Sequence, residues 1–305
     1  MRPETDLSLV LPAYDEGARL PRALEALRTF SVERGLNVEI VVASDGSTDG
    51  TVPIAEAWAA RRIPGFAVRV VEIPHRGKGA AVRAGMREVT GPVVGYCDVD
   101  LSAGPDAIVD LRAAIEAGAD VAIASRGLPE SVLEVRQPWH RERAGRLFNL
   151  ALRRLTRITI QDTQCGLKLF RAEVARQLFR HMRIDGFAFD AELMVLAARL
   201  GHSVKEVPVR WTHDPGSRLS FRRDSILMAR DTIRIVRRLG RAEVHQPGIP
   251  ALRAIDRMAS SEERHWWYVA KRRLVGAMID RSGNRGRPCL DVGCGAGAMV
   301  AEASL

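Results

Sequence analysis

Residues 92–106 read PVVGYCDVDLSAGPD. An apolar, strand-forming run ends at Cys97, and two aspartates, Asp98 and Asp100, follow it one residue apart. On a strand extension, residues i and i+2 point the same way, so both carboxylates can address one site. Two acids that close repel each other. A turn or a helix start, which "SAGPDAIVDL" supplies just after, accounts for one of them at most. The setting of this pair in the rest of the chain decides its meaning.

Four similar runs surround it: "LSLVL" (7–11), "VEIVVA" (38–43), "VRVVEI" (68–73) and "DVAIAS" (120–125). Between them lie segments such as "ARLPRALEALRTF" and "DAIVDLRAAIEAG", in which Leu, Ile and Ala recur every three or four residues. Continuous apolar strands alternating with amphipathic helices predict an α/β fold, a mostly parallel sheet covered on both faces. From residue 139 to 240 the pattern turns more helical, with "GLKLF" and "KEVPVRW" as additional strands. In open parallel sheets, ligands bind beyond the carboxyl ends of the strands. Here "PAYDEG", "SDGSTDG", "HRGKGAA", "DVDLS" and "SRG" follow the five runs, so five polar loops converge on one rim.

That rim carries the chemistry. Magnesium is commonly held by one or two carboxylates plus substrate phosphates, which suits Asp98 and Asp100. Asp45 can accept a hydrogen bond from a base N–H, and Tyr14 offers a stacking face for a nucleobase. The small residues of "GKGAAVRAG" let backbone N–H groups approach a phosphate, with Lys78 as a point charge. Each motif also has a bland reading, as a tight connection or a solvated lysine; their convergence on one rim favours the functional one.

Composition sets outer bounds. The chain has 305 residues, 46% of them apolar, and a formal net charge of +9 from 46 basic and 37 acidic residues. The excess of positive charge favours an anionic partner such as a nucleotide or a phosphorylated lipid. No run reaches the roughly 18 apolar residues of a membrane span, and the first residues lack a secretory pattern. Cys97, Cys165, Cys289 and Cys294 form no C-x-x-C pair and read as reduced thiols.

A resemblance sharpens this reading. "LPAYDE", "SDGSTDGT", "RGKGAAVRAGM", "DVDLS", "ASRG", "GRLFNLALRRL", "QDTQCGLKLFR", "RIDGFAFDAEL" and "KEVPVRWTHDPGSRLS" occur in order. Together they resemble the family 2 glycosyltransferases of GT-A (Rossmann-like) fold, and within them the dolichyl-phosphate β-glucosyltransferase branch. The resemblance covers residues 5–240 and implies transfer of a hexose, glucose from UDP-glucose, to dolichyl or polyprenyl phosphate with inversion. It implies Mg2+ or Mn2+ on Asp98 and Asp100, with Ser102 nearby, against the donor diphosphate. Tyr14 and Asp45 would hold the base, with Pro12 and Glu16 shaping its pocket. Arg126, Arg143 or Arg146, and Arg218 match basic positions for the diphosphate or lipid phosphate; Asp162 and Asp190 match acids near the donor sugar and acceptor. Two departures stand out. Ser44 replaces an acid usual in relatives, and the N-terminal membrane helix of eukaryotic members is absent.

Membrane contact is therefore expected to be peripheral, at the inner face, with the protein cytoplasmic and no nucleic acid as partner. A helix over "SFRRDSILMARDTIRIVRRLGR" supplies it, with Arg230, Arg234, Arg237 and Arg241 on one face and Ile226, Ala229, Ile233 and Val236 on another. A core-packed helix with a solvated face would look the same. Two rivals remain: a glycosyltransferase of this fold acting on a hydroxyl, which needs a base such as Asp190, and a methyltransferase or nucleotide-binding scaffold. The latter rests on the tail. "HQPGIP" makes 241–250 a linker, and "RPCLDVGCGAG" within 251–305 resembles the first motif of class I S-adenosylmethionine-dependent methyltransferases. The chain stops at Leu305, so this short α/β segment is incomplete and is expected to lack that activity.

Overall fold

Strand β1 (Leu7–Ala13) is buried along nearly its whole length, with Leu7, Leu9 and Leu11 on one face of the sheet and Val10 on the other. That two-sided apolar run is what a central parallel strand requires. In the computed structural model, which describes residues 5–135, 139–212 and 221–240, β1 pairs in parallel with β2 (Val38–Asp45) and β4 (Val93–Cys97). Outside β2 lies β3 (Phe66–Ile73). The full order of the seven-stranded sheet is β3-β2-β1-β4-β7-β5-β8. Strand β7 (Leu167–Arg171) enters between β4 and β5 (Val121–Ser125) and runs antiparallel to both. Strand β8 (Val204–Pro208) closes the far side, parallel to β5. A second sheet pairs β6 (Val132–Val135) with β9 (Arg210–Thr212).

Helices cover both faces. On one, α1 (Leu20–Arg34), α2 (Thr51–Ala60) and α4 (Ala107–Glu116) pack Leu24, Leu27, Trp58, Ile108 and Leu111 against Leu9, Ile40 and Val42. On the other, α3 (Lys78–Gly85), α6 (Ala172–His181) and α7 (Phe189–Arg199) pack Val82, Leu178 and Leu193 against Val10, Val41 and Phe170. Each fully buried Leu or Val contributes about 1.5–3 kcal/mol, so the two layers clamp the sheet and fix its upper rim. Helix α5 (Trp139–Thr156) follows β6. Helix α8 (Phe221–Ile235) runs into a π-helical turn (Val236–Gly240).

All five strand expectations hold, and "KEVPVRW" divides into β8 and β9. The fold is the expected mostly parallel α/β sheet. Helix α8 packs one stripe on the core and leaves another outside. It buries Asp231, Thr232 and Ile235, whereas Ile233, assigned to its apolar face, is 52% exposed. The reason is spacing: Asp231, Ile235 and Leu239, four apart, form the stripe that meets the core. The tail over 241–305, with its methyltransferase-like motif, the linker over 241–250, Arg241 and Arg218 all lie outside the described residues, as do the side chains of Ile226, Arg143 and Arg146.

Candidate active site

Because β1 to β5 and β8 are parallel, their carboxyl ends share one edge. The antiparallel β7 brings its amino end, Cys165 and Gly166, to that same edge. The two aspartates beyond β4 therefore meet the loops that follow β3 and precede β7. The Asp98 N–H donates to the Gly166 carbonyl at 3.1 Å. The approach is close: a Cβ on residue 166 would lie 2.1 Å from Asp98 Oδ2, so a side chain there would displace that carboxylate.

The positive charge that faces the pair is Lys78, the first residue of α3. Its Nζ lies 2.6 Å from Asp98 Oδ1. Burial alone would lower this ammonium, but Asp98 and Asp190 outweigh it and hold it at about 12. Lys78 thus sits on a carboxylate, where the sequence suggested a phosphate. Asp98 Oδ1 is buried and, the ion pair aside, has no aligned hydrogen-bond donor. Asp100 accepts from the Ser102 N–H at 2.9 Å. Burial first, and the Asp98 charge second, push its carboxyl above the ordinary value. An under-satisfied carboxylate beside a second one that is costly to ionise is a donor set that fits a hard divalent cation. Among the described residues no cluster of three or more His, Cys, Asp or Glu forms a protein-only cage.

Asp162 is locked to the half-buried Arg126 and Asp190 to the buried Lys168. Arg126 grips Asp162 with Nε to Oδ2 at 2.7 Å, Nη2 to Oδ1 at 3.0 Å and its own backbone N–H at 3.0 Å. Burial would raise the Asp162 carboxyl, but the guanidinium outweighs it and holds the group at about 2. The Arg126 guanidinium also lies 5.4 Å from the Trp211 ring centroid. Asp190, at the start of α7, accepts from the Tyr96 hydroxyl and from Lys168 Nζ through one oxygen. Lys168 is fully buried and also donates to the Cys165 carbonyl at 2.7 Å. Burial, then the Asp190 charge, push the Tyr96 phenol well up, so it remains a proton donor. Cys97 and Cys165 are free and buried, and burial pushes both thiols up, Cys165 to about 11.

The other end of the rim is built differently. Asp45, 3% exposed, accepts from the backbone N–H groups of Arg76 and Gly77 at 2.8 and 2.9 Å, and lies 3.0 Å from His75 Nδ1. The Tyr14 ring, 41% exposed, leans on His75 with centroids 4.4 Å apart. Glu16 is held by Arg19, with contacts of 2.6 and 2.7 Å, and its N–H donates to Thr51 Oγ1. Pro12 lies near the end of β1, pairing with Ala43.

The rim thus collects Pro12, Tyr14, Glu16, Asp45, Lys78, Asp98, Asp100, Ser102, Arg126, Asp162 and Asp190. Sequence reading missed three members. Lys168 had a visible signal, a lysine inside the apolar strand "LKLF". His75 and Asp185 lay inside quoted stretches, "HRGKGAA" and "RIDGFAFDAEL", but nothing there singled them out. Asp185 binds Arg76 at 2.7 Å and Arg83 at 2.5 Å, and its carbonyl accepts from the Ala80 N–H. It thereby pins the turn that carries Lys78. Gly77 adopts φ +127°, and a Cβ there would lie 2.6 Å from that same carbonyl.

A family model described as Glycosyl transferase family 2 matches residues 8–179. The dolichyl-phosphate beta-glucosyltransferase of Drosophila melanogaster is 34% identical over 245 residues, covering 76% of this chain and 75% of that protein. The enzyme of the same name from Saccharomyces cerevisiae is 30% identical over 248 residues, covering 75% and 74%. Among solved structures, a glucosyl-3-phosphoglycerate synthase of Mycobacterium tuberculosis aligns with TM-score 0.57 at 22% identity, over 77% of this chain and 81% of that one. The same synthase in complex with Mn2+, uridine diphosphate and glucosyl-3-phosphoglycerate aligns with TM-score 0.55 at 21% identity, over 77% and 80%. These are GT-A folds, and the architecture is shared.

Proposed function

The chain belongs to glycosyl transferase family 2, and from that premise we propose that this glycosyltransferase moves glucose from UDP-glucose to a dolichyl or polyprenyl phosphate. The observation that carries the reading is the meeting of Asp98, Asp100 and Lys78 at the sheet rim, in a chain whose likeness to dolichyl-phosphate beta-glucosyltransferases runs through three quarters of its length.

In this reading Asp98 and Asp100 hold Mg2+ or Mn2+, which supplies positive charge to the leaving diphosphate. Tyr14 and Asp45 serve the base. Their own geometry supports that role: Tyr14 presents an open aromatic face, and backbone donors fix Asp45 rigidly. Lys78 neutralises Asp98 until an anionic donor arrives, then shares its charge with the diphosphate across a short distance. Arg126, oriented by Asp162, adds charge stabilisation where negative charge develops on the departing oxygen. The side chains of Arg143 and Arg218 are assigned to the same anionic groups on the strength of sequence alone.

The acceptor phosphate needs no strong base. A phosphate monoester has a second pKa of about 6 and is largely dianionic at neutral pH. Its oxygen attacks the anomeric carbon, the bond to the diphosphate breaks on the opposite side, and the product is a β-linked lipid phosphate sugar. Asp190 suits this chemistry. One of its oxygens is occupied by two donors, so it braces the floor of the site. Membrane contact belongs to this reading as well. Among the described residues no helix is long and apolar enough to cross a membrane. Helix α8, with Ile233, Arg230 and Arg234 exposed, would lie on the inner leaflet.

Label transfer from radioactive UDP-glucose into the organic phase tests the proposal. Polyprenyl phosphate should accept label and the corresponding alcohol should not. Asp100→Ala should abolish transfer and metal-dependent donor binding. Equal use of the alcohol, or an active Asp100→Ala protein, would reject it.

A further inference from the structure

A second basic site is formed where the segment before α7, which also packs on the turn that carries Lys78, meets α8. A cleft of about 520 Å³ is lined by Arg183, Ile184, Glu192, Arg234, Ile235, Arg237 and Arg238. Its one acid is already committed. Glu192 is fully buried and takes the N–H groups of Arg183 and Ile184 at 2.9 and 2.8 Å and the guanidinium of Arg238. Arg234 pairs with Asp231 at 3.0 Å. Arg183 and Arg237 are exposed and face no carboxylate among the described residues. Among the described residues, the cleft therefore holds two guanidinium groups that face no carboxylate, over an apolar floor of Ile184 and Ile235.

The outer face of α8 continues it. Leu227, Arg230, Ile233, Arg234 and Arg237 follow helical spacing, and Leu227 and Ile233 are 37% and 52% exposed. Aliphatic tips interleaved with guanidinium groups match a bilayer interface: the tips enter the acyl boundary while the cations stay at phosphate depth. A soluble phosphate would use the arginines but not the exposed leucine and isoleucine.

We propose that this cleft binds the phosphate of an anionic phospholipid headgroup, docking α8 on the bilayer independently of the acceptor lipid. Arg183 and Arg237 grip the phosphate oxygens, and Leu227 and Ile233 insert beside it. The proposal deepens the membrane contact read above. Its readout is vesicle binding rather than sugar transfer, so the two readings fail separately.

Co-sedimentation of the full chain with phosphatidylcholine vesicles, with and without phosphatidylglycerol, tests it. Binding should require phosphatidylglycerol. The Arg183→Gln, Arg237→Gln double variant should lose about tenfold or more in vesicle affinity, since each basic side chain near an anionic surface matters strongly. Transfer to detergent-dispersed acceptor should be unchanged. A control that removes the same charge elsewhere, Arg22→Gln with Arg62→Gln, should lose far less. Ile233→Ser should weaken binding at constant charge. Equal losses in the two double variants would reduce the effect to net charge and overturn the site. Equal binding to pure phosphatidylcholine would also overturn it. Saturable calorimetric binding of inorganic phosphate, abolished by the same substitutions while vesicle binding persists, would reassign the cleft to a soluble anion.

Discussion

The two ends of the rim hold their acids in opposite ways. Beyond β1 and β2, Glu16 on Arg19 aside, carboxylates are fixed by backbone N–H groups: Asp45 by residues 76 and 77, Asp15 by Thr48, Asp49 by Gly17 and Thr51. Beyond β4, β5 and β7 they face side-chain cations: Asp98 with Lys78, Asp162 with Arg126, Asp190 with Lys168. Backbone dipoles cannot leave, so the first end is a rigid mould, suited to a ligand part recognised by shape and hydrogen bonds. Cations on flexible stems can change partner, so the second end suits a reaction in which negative charge arrives and moves. In the proposed reading, the base belongs to the first end and the phosphates to the second.

The largest effect should come from stranding a charge at the cationic end. Lys168→Met leaves Asp190 buried without its cation, and truncating one partner of a buried pair costs about 3–5 kcal/mol. Urea unfolding should register that loss. Adding Asp190→Leu should recover most of it, and no recovery would mean that Lys168 acts through packing alone. Gly166→Ala presses a methyl onto Asp98. It should weaken metal-dependent donor binding at least tenfold while moving the melting temperature little, because the obstructing atom ends a side chain. Calorimetry with UDP-glucose separates the two effects.

Acid should discriminate next. The depressed Asp162 carboxyl contributes stability that is fully present above its unfolded value and lost as pH falls from about 4 toward 2. The loss amounts to about 2 kcal/mol. Arg126→Met should abolish that acid-dependent part, seen by comparing urea midpoints at the two pH values. The smallest effect belongs to the rigid end. Asp45→Asn keeps one acceptor and turns an N–H toward the backbone donor it once accepted from, costing about 1–3 kcal/mol. Affinity for the bare nucleotide should fall. If sugar transfer from saturating donor fell too, the division between the two ends would be blurred.

Much of this was legible in the sequence because it is local. A buried parallel strand needs a continuous apolar run, and polar loops at the carboxyl ends must share an edge, so the site's outline followed from β1 to β5. The pairings were not legible, because they join residues far apart. Nothing near Lys78 announces that it meets Asp98, or that Asp185, on another element, anchors its turn. Which stripe of α8 meets the core was not legible for a related reason. Its sequence offers two stripes, and only the packed core selects Asp231, Ile235 and Leu239 over Ile233.

The insertion of β7 also dictates an order of events at the ribosome. Strands β1 to β4 come from one contiguous stretch ending at Cys97, whereas β7, which covers the outer edge of β4, begins at Leu167. At roughly 5–20 residues per second, that edge waits several seconds for its partner. It presents unpaired N–H and C=O groups on an apolar ribbon, the kind of template onto which another nascent chain can add. Production of soluble protein should therefore depend on how quickly residues 167–171 emerge, and slowing translation between β4 and β7 should cost more yield than slowing it anywhere after.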